Sequence, residues 1–380
     1  MSERTEKERI PELDGLRGVA ILLVILLHYV SDSTGGGFGS VLYRFRAIFR
    51  LGWCGVDLFF VLSGFLIGGI LLDARDSPRY FQTFYVRRAY RILPIYYVWV
   101  TLYIVVNTSF EHWRDSPLSV DPAILNHLPL YYLFAQTFQP LLVGTVGAYW
   151  MGVTWSVAIE EQFYLIAAPM VRFLREPHFV CALVSTIFLC PFLRLLVIAE
   201  WPSQLNLIYV FMPCRADSLA IGMITAVLWK DPGHRRWLAN HSKQLSAAAL
   251  SLLAGIPVFI KWFPSPYTRF AALVEYQWLA FMFACLLLIS LLDKQSVMAR
   301  AMRLGFLGHI GQLSYCIYLI HLPILAIAHA VLLGSPVHRI DTFSGIGVTI
   351  LAAGITFTAA SLSWAFLESP LIRRGHQYKY

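Results

Sequence analysis

The chain has 380 residues, 58% of them hydrophobic and only 14% charged, with a mean hydropathy of +0.62. That balance excludes a water-soluble enzyme and points to a polytopic membrane protein, with 11 Trp suited to interfacial belts. The net charge of +8 is explained by its placement along the chain, so no nucleic-acid partner is expected. Cys54, Cys181, Cys190, Cys214, Cys285 and Cys316 form no CxxC pair and lie in or beside apolar runs. Neither a disulfide framework nor a metal site is expected from them.

The opening stretch, MSERTEKERIPELDGLRG, is mixed in charge, and no small-residue cleavage signal follows the first apolar run. That run is read as a retained span rather than a signal peptide. Arg17 stands near its start and His28 near its end. In a helix their offset is three turns plus about 20°, so both share one face, roughly 16 Å apart along the axis. Asp14 falls within about 40° of that face. An ionisable stripe in a span is a functional-site candidate by default. The alternative is a snorkelling Arg17 with a structurally hydrogen-bonded His28.

Segments long enough to span fall near 17–33, 55–73, 89–109, 150–174, 178–198, 207–229, 244–262, 271–292, 309–333 and 343–367. The expected fold is all-α: a polytopic bundle of about ten transmembrane helices forming one membrane domain over residues 1–380. The aromatic stretch 128–142 is too short and Pro-flanked, and is read as interfacial or re-entrant. Of the 30 Lys and Arg, 21 fall on the N-terminal side of this alternation and 7 in the opposite loops, which predicts two cytoplasmic termini.

On that orientation Asp57, in GWCGVDLFFVLSGFLIGGILL, enters the second span from outside at a depth His28 could share. A carboxylate there would fix the imidazole tautomer and support its charged form. The alternative is a residue solvated among headgroups. Gly64 and Gly68 make a small-xxx-small pair for close helix packing. The turn RYFQTFYVRRAYRILP carries Arg79, Arg87, Arg88 and Arg91, with Arg87 and Arg88 each close to Arg91 on a helix. They read either as topology signals or as a clamp for phosphates.

The fourth span, containing TWSVAIEEQFYL, places Glu160 and Glu161 on different faces, with Ser156 and Tyr164 flanking Glu160. One carboxylate could orient His28 or an acceptor hydroxyl while the other pairs with Arg194 or Arg215. Ser314, Tyr318 and His321 share a face of the ninth span. His321 reads first as a packing residue and second as a further catalytic candidate. Glu368 in FLESPLIRR either meets the cytoplasmic arginines or simply ends a helix.

Taken in order, ELDGLRGVAILLVILLH, GVDLFFVLSGFLI, FYVRRAYRILPIYY, TWSVAIEEQFYL, RADSLAIG, LSYCIYLIHLPI and LESPLIRR, from about residue 10 to 374, resemble the acyltransferase-3 family of membrane O-acyltransferases. Those proteins modify bacterial surface polysaccharides, peptidoglycan, lipopolysaccharide and some antibiotics. The resemblance implies a ten-helix domain in the bacterial cytoplasmic (inner) membrane. It implies no permanently bound cofactor, and acetyl-CoA or another acyl-CoA as co-substrate from the cytoplasm. Arg17, Arg87, Arg88 and Arg91 would then hold the CoA phosphates and His28 would be the general base. Asp57 and Glu160 or Glu161 would support it. The acceptor would be a hydroxyl of a carbohydrate, a glycolipid or a small natural product, chosen by the outer loops 110–148 and 263–270.

Many members append an extracytoplasmic hydrolase-like domain, and the expectation here is the stand-alone subclass. Two other classes compete. A proton-coupled exporter calls for inverted repeats and paired broken helices, neither of which is visible in the sequence. A non-catalytic acyl-CoA-binding protein would keep the arginines and tolerate loss of His28.

Overall fold

The computed structural model describes residues 10–33, 46, 48–109, 127–144, 147, 149–263, 265–335 and 337–380. Ten long helices dominate: α1 (Pro11–Leu26), α2 (Cys54–Ala74), α3 (Tyr80–Ser109), α4 (Thr154–Phe173), α5 (Glu176–Glu200), α6 (Met212–Lys230), α7 (Ser242–Ala254), α8 (Tyr276–Leu292), α9 (Gly305–Leu333) and α10 (Phe343–Ser363). No β-strand occurs among the described residues. Such apolar runs cannot leave backbone polar groups open to lipid, and a helix satisfies them within the segment. Pro11 sits in the first turn of α1, where its missing N–H costs nothing, and Glu12 and Asp14 complement the helix dipole there.

Nine helical stretches among the described residues are long and apolar enough to cross a membrane, which makes this a polytopic helical membrane protein. They coincide with nine of the ten expected spans. The other, 150–174, does form a helix, α4, but falls outside that set. Its polar residues face inward rather than to lipid: Ser156 and Glu160 line a cavity, and Gln162 bonds the Phe134 carbonyl at 2.8 Å. The stretch 128–142 forms short helical pieces (Leu128–Tyr132, Gln136–Phe138, Gln139–Val143) rather than a span. Gln136 ties it to α4 through the Thr154 carbonyl at 2.9 Å. Residues 110–126 of the loop expected to select the acceptor lie outside the described residues, as do Arg4, Lys7, Arg9, Arg44 and Arg114 of the charge pattern.

Two close helix crossings position the site. A Cβ on Gly64 of α2 would overlap the Leu219 carbonyl of α6, and one on Gly222 would overlap the Val61 carbonyl. Only small residues permit that approach, and it brings Asp57 onto Arg215. Gly311 of α9 likewise rides against the Asp14 carbonyl of α1. Further along that second crossing, α1 ends in a π-helical turn, Leu27–Ser31, which carries His28 and Tyr29 toward α9. Such turns widen a helix locally and recur at functional sites.

Candidate active site

A two-part cavity has a vestibule among α1, α2, α3 and α6 and an inner chamber among α1, α2, α3, α4 and α9. Its vestibule, about 370 Å³, is lined by Asp14, Arg17, Arg91, Trp229 and Lys230 among others. Arg17, Leu66 and Arg91 also line an inner chamber of about 110 Å³, so the two spaces share a wall. The chamber's remaining polar lining is Ser63, Arg88, Ser156, Glu160, Tyr164, Ser314, Tyr315 and Tyr318.

Three of the four predicted cations converge on this cavity. Arg17 reaches Asp14 one turn back, at 3.3 Å, and Arg88 keeps a buried Nε with no hydrogen-bond partner. Arg87 does not join them. Its Nε and Nη2 donate to the Tyr378 carbonyl at 2.8 and 2.5 Å, and its guanidinium lies 5.0 Å from the Tyr380 ring centroid. Successive helical positions differ by about 100°, so Arg88 turns inward while Arg87 turns to the segment after α10. Lys230, absent from the sequence-based candidates, lines the vestibule while paired with Asp73 at 2.5 Å.

The adjacent carboxylates of α4 separate as their helical offset requires. Glu160 lines the chamber, with the Tyr164 hydroxyl 3.4 Å away and bonded in turn to Ser63 Oγ at 2.8 Å. Glu161 does not line it, and its Oε1 is buried without a hydrogen-bond partner. Neither Glu160 nor Glu161 pairs with Arg194 or Arg215, because both arginines meet aspartates instead: Arg194 with Asp217 and Arg215 with Asp57, each at 2.8 Å. Glu368, buried in a π turn, accepts from Ser363 Oγ at 3.0 Å.

Beyond the chamber stands a histidine pair. Tyr318, bonded to Ser156 at 2.8 Å, forms part of the chamber wall, and its ring lies 5.9 Å from that of His321. The His321 ring is 5.2 Å from that of His28. His28 Nδ1 lies 2.9 Å from Asp32 Oδ2. A carboxylate only accepts, so Nδ1 donates, and in the neutral imidazole Nε2 is then the acceptor.

The expected pairing of His28 with Asp57 is therefore corrected. Asp57 is fully buried and bonded to Arg215 and to Ser218 Oγ at 3.1 Å, while Asp32 holds the imidazole. The α2–α6 crossing gives Asp57 a full cation, a stronger partner than a neutral ring. Asp32 was missed, although HYVSD already places a carboxylate four residues after His28, within helical reach.

Membrane-crossing helices around a cavity lined by three arginines, with a carboxylate-bonded histidine beyond its wall, define an integral membrane protein with a polar interior site. Residues 10–367 match the family model described as an acyltransferase domain, Acyl_transf_3, and the chain belongs to that acyltransferase-3 family. It is similar to the peptidoglycan O-acetyltransferase OatA of Listeria monocytogenes, 27% identical over 392 residues covering 98% of this chain and 57% of the relative. It is also similar to the O-acetyltransferase OatA of Staphylococcus aureus, 24% identical over 379 residues covering 96% of this chain and 58% of the relative. The chain thus spans a little under three fifths of the length of these relatives. No solved structure gives a significant match.

Proposed function

We propose that this protein is a membrane O-acyltransferase that moves an acyl group, acetyl in the first instance, from acyl-CoA to a carbohydrate or glycolipid hydroxyl. The observation that carries the reading is the convergence of Arg17, Arg88 and Arg91 on one cavity whose far wall adjoins the His321–His28–Asp32 array. Phosphates are bound best by guanidinium forks at the mouth of such a space. The pantetheine arm then fills the chamber and sets the thioester beside Tyr318. His28 Nε2 takes the proton from the acceptor hydroxyl as its oxygen attacks the carbonyl, and Asp32 stabilises the imidazolium that forms. Glu160 and Tyr164 orient groups inside the chamber.

The bias of Lys and Arg supports a vestibule and termini on the cytoplasmic side, and in this reading the membrane is the bacterial inner membrane and the acceptor approaches from outside. The likeness to the peptidoglycan O-acetyltransferase of Listeria monocytogenes makes peptidoglycan the acceptor to try first. Purified wild type and His28→Ala in detergent would be given radiolabelled acetyl-CoA with and without solubilised glycan strands. CoA release and glycan labelling by the wild type alone are the expected result. Binding of acetyl-CoA with no turnover by either protein would overturn the catalytic reading.

A further inference from the structure

His321 lies one helical turn beyond Tyr318 and is fully buried. Its Nδ1 is 2.8 Å from the Tyr318 carbonyl and 3.2 Å from the Ile317 carbonyl. Carbonyls only accept, so Nδ1 carries the proton and Nε2 is a lone pair. That Nε2 is buried without a hydrogen-bond partner. A packing role alone needs no imidazole here, since an apolar side chain would leave no orphaned acceptor.

The two rings occupy different sides of the array. Asp32, which holds His28, has a side chain 52% exposed, so His28 belongs to the surface side. His321 neighbours Tyr318 and hence the chamber. Their level is fixed by Tyr29, whose hydroxyl donates to the His321 carbonyl at 2.9 Å. The two ring centroids lie 5.2 Å apart with their planes tilted by 37°, so the imidazoles are direct neighbours.

We propose that His321 is a second catalytic residue, the general acid that protonates the leaving thiolate; this rests on the donor-chamber reading above. The acceptor O–H breaks as His28 Nε2 takes its proton. The oxygen forms the new C–O bond, and the C–S bond breaks with sulfur keeping the electron pair. The proton passes from His28 Nε2 to His321 Nε2 and from there to sulfur. Ester and free thiol leave, and both imidazoles return to neutrality. Such a division suits a reaction whose hydroxyl arrives on the surface side while its thiolate departs through the chamber.

His321→Asn tests this, because the Asn amide keeps a donor for the Tyr318 carbonyl and removes Nε2. Purified wild type, H321N and His28→Ala would be assayed with acetyl-CoA and with 4-nitrothiophenyl acetate, using solubilised glycan strands as acceptor. H321N should melt with the wild type and lose about a hundredfold in kcat with acetyl-CoA, at unchanged KM. The loss should shrink below about tenfold with the nitrothiophenyl ester, whose thiolate leaves without a proton. Equal losses with both donors, or wild-type kcat in H321N, overturn the inference and leave His28 as base untouched. Full activity in His28→Ala overturns instead the reading on which it rests. A variant-free measurement stands beside these. Across acetyl thioesters of graded thiol acidity the wild-type kcat should vary little, and a steep dependence would rule out acid assistance.

Discussion

Asp57 of α2 and Arg215 of α6 meet at 2.8 Å with both side chains fully buried. Arg215 also lies 4.0 Å from the Tyr276 ring centroid. A buried ion pair is a modest source of stability but costly to break, because the surviving charge is left uncompensated, at about 3–5 kcal/mol. Asp57→Ala should lower the melting temperature in detergent by several degrees, while Asp57→Leu with Arg215→Met should restore most of it. Fluorescence-detected melts of the singles and the double check this. A variant that melts normally but turns over slowly would return Asp57 to the catalytic set.

Asp32 is the carboxylate that bonds His28. Asp32→Asn keeps a side chain of the same shape and loses the charge that stabilises an imidazolium. The expected outcome is a fall of about ten- to a hundredfold in kcat with acetyl-CoA and an unchanged KM for the donor. Steady-state kinetics on the purified variant decide it.

The arginines should separate by kinetics. Arg88 and Arg91 line the chamber, whereas Arg87 is held by the Tyr378 carbonyl and the Tyr380 ring. Hydrogen bonds to charged groups are worth about 1.5–3 kcal/mol, so Arg88→Met or Arg91→Met should raise the donor KM by about ten- to a hundredfold. Arg87→Met should leave that KM alone. Titration with acetyl-CoA and with dephospho-CoA would further show which phosphate each cation meets.

His338 lies in the connection between α9 and α10. Burial, reinforced by the neighbouring His329, lowers its pKa from the ordinary 6.5 to about 4. The folded state therefore keeps this ring neutral where the unfolded chain takes up a proton. Stability is fully present above about pH 6.5 and is lost as pH falls toward 4, since the unfolded state then binds more protons. Melts between pH 7 and pH 4 should show this decline, and His338→Gln should flatten part of it. A decline of the same slope in the variant would assign the acid sensitivity elsewhere.

Much of this was legible in the primary structure. Each long apolar run had to become a helix, because nothing but its own backbone could satisfy its polar groups in lipid. Arg17, Arg88, Arg91 and Glu160 announced themselves as ionisable residues in or beside spans, and all four line the cavity. Gly64 was read as a contact point, and α6 does press against it. Asp32 also stands within helical reach of His28 in the sequence, although the expectation fell on Asp57 alone.

The chain by itself thus determined which segments are helical and which side chains are too costly to face lipid, since both follow from local composition and the period of one helix. Only the tertiary structure decided the partners. Asp57 went to Arg215, Arg87 to the segment after α10, and His28 came to rest beside His321. Those choices depend on the rotation, depth and crossing of helices far apart in sequence, set by packing against glycines such as Gly222 and Gly311 and by the π turn that ends α1. No single helix carries that information, because a side chain's partner is fixed by the surface of the neighbour it is packed against.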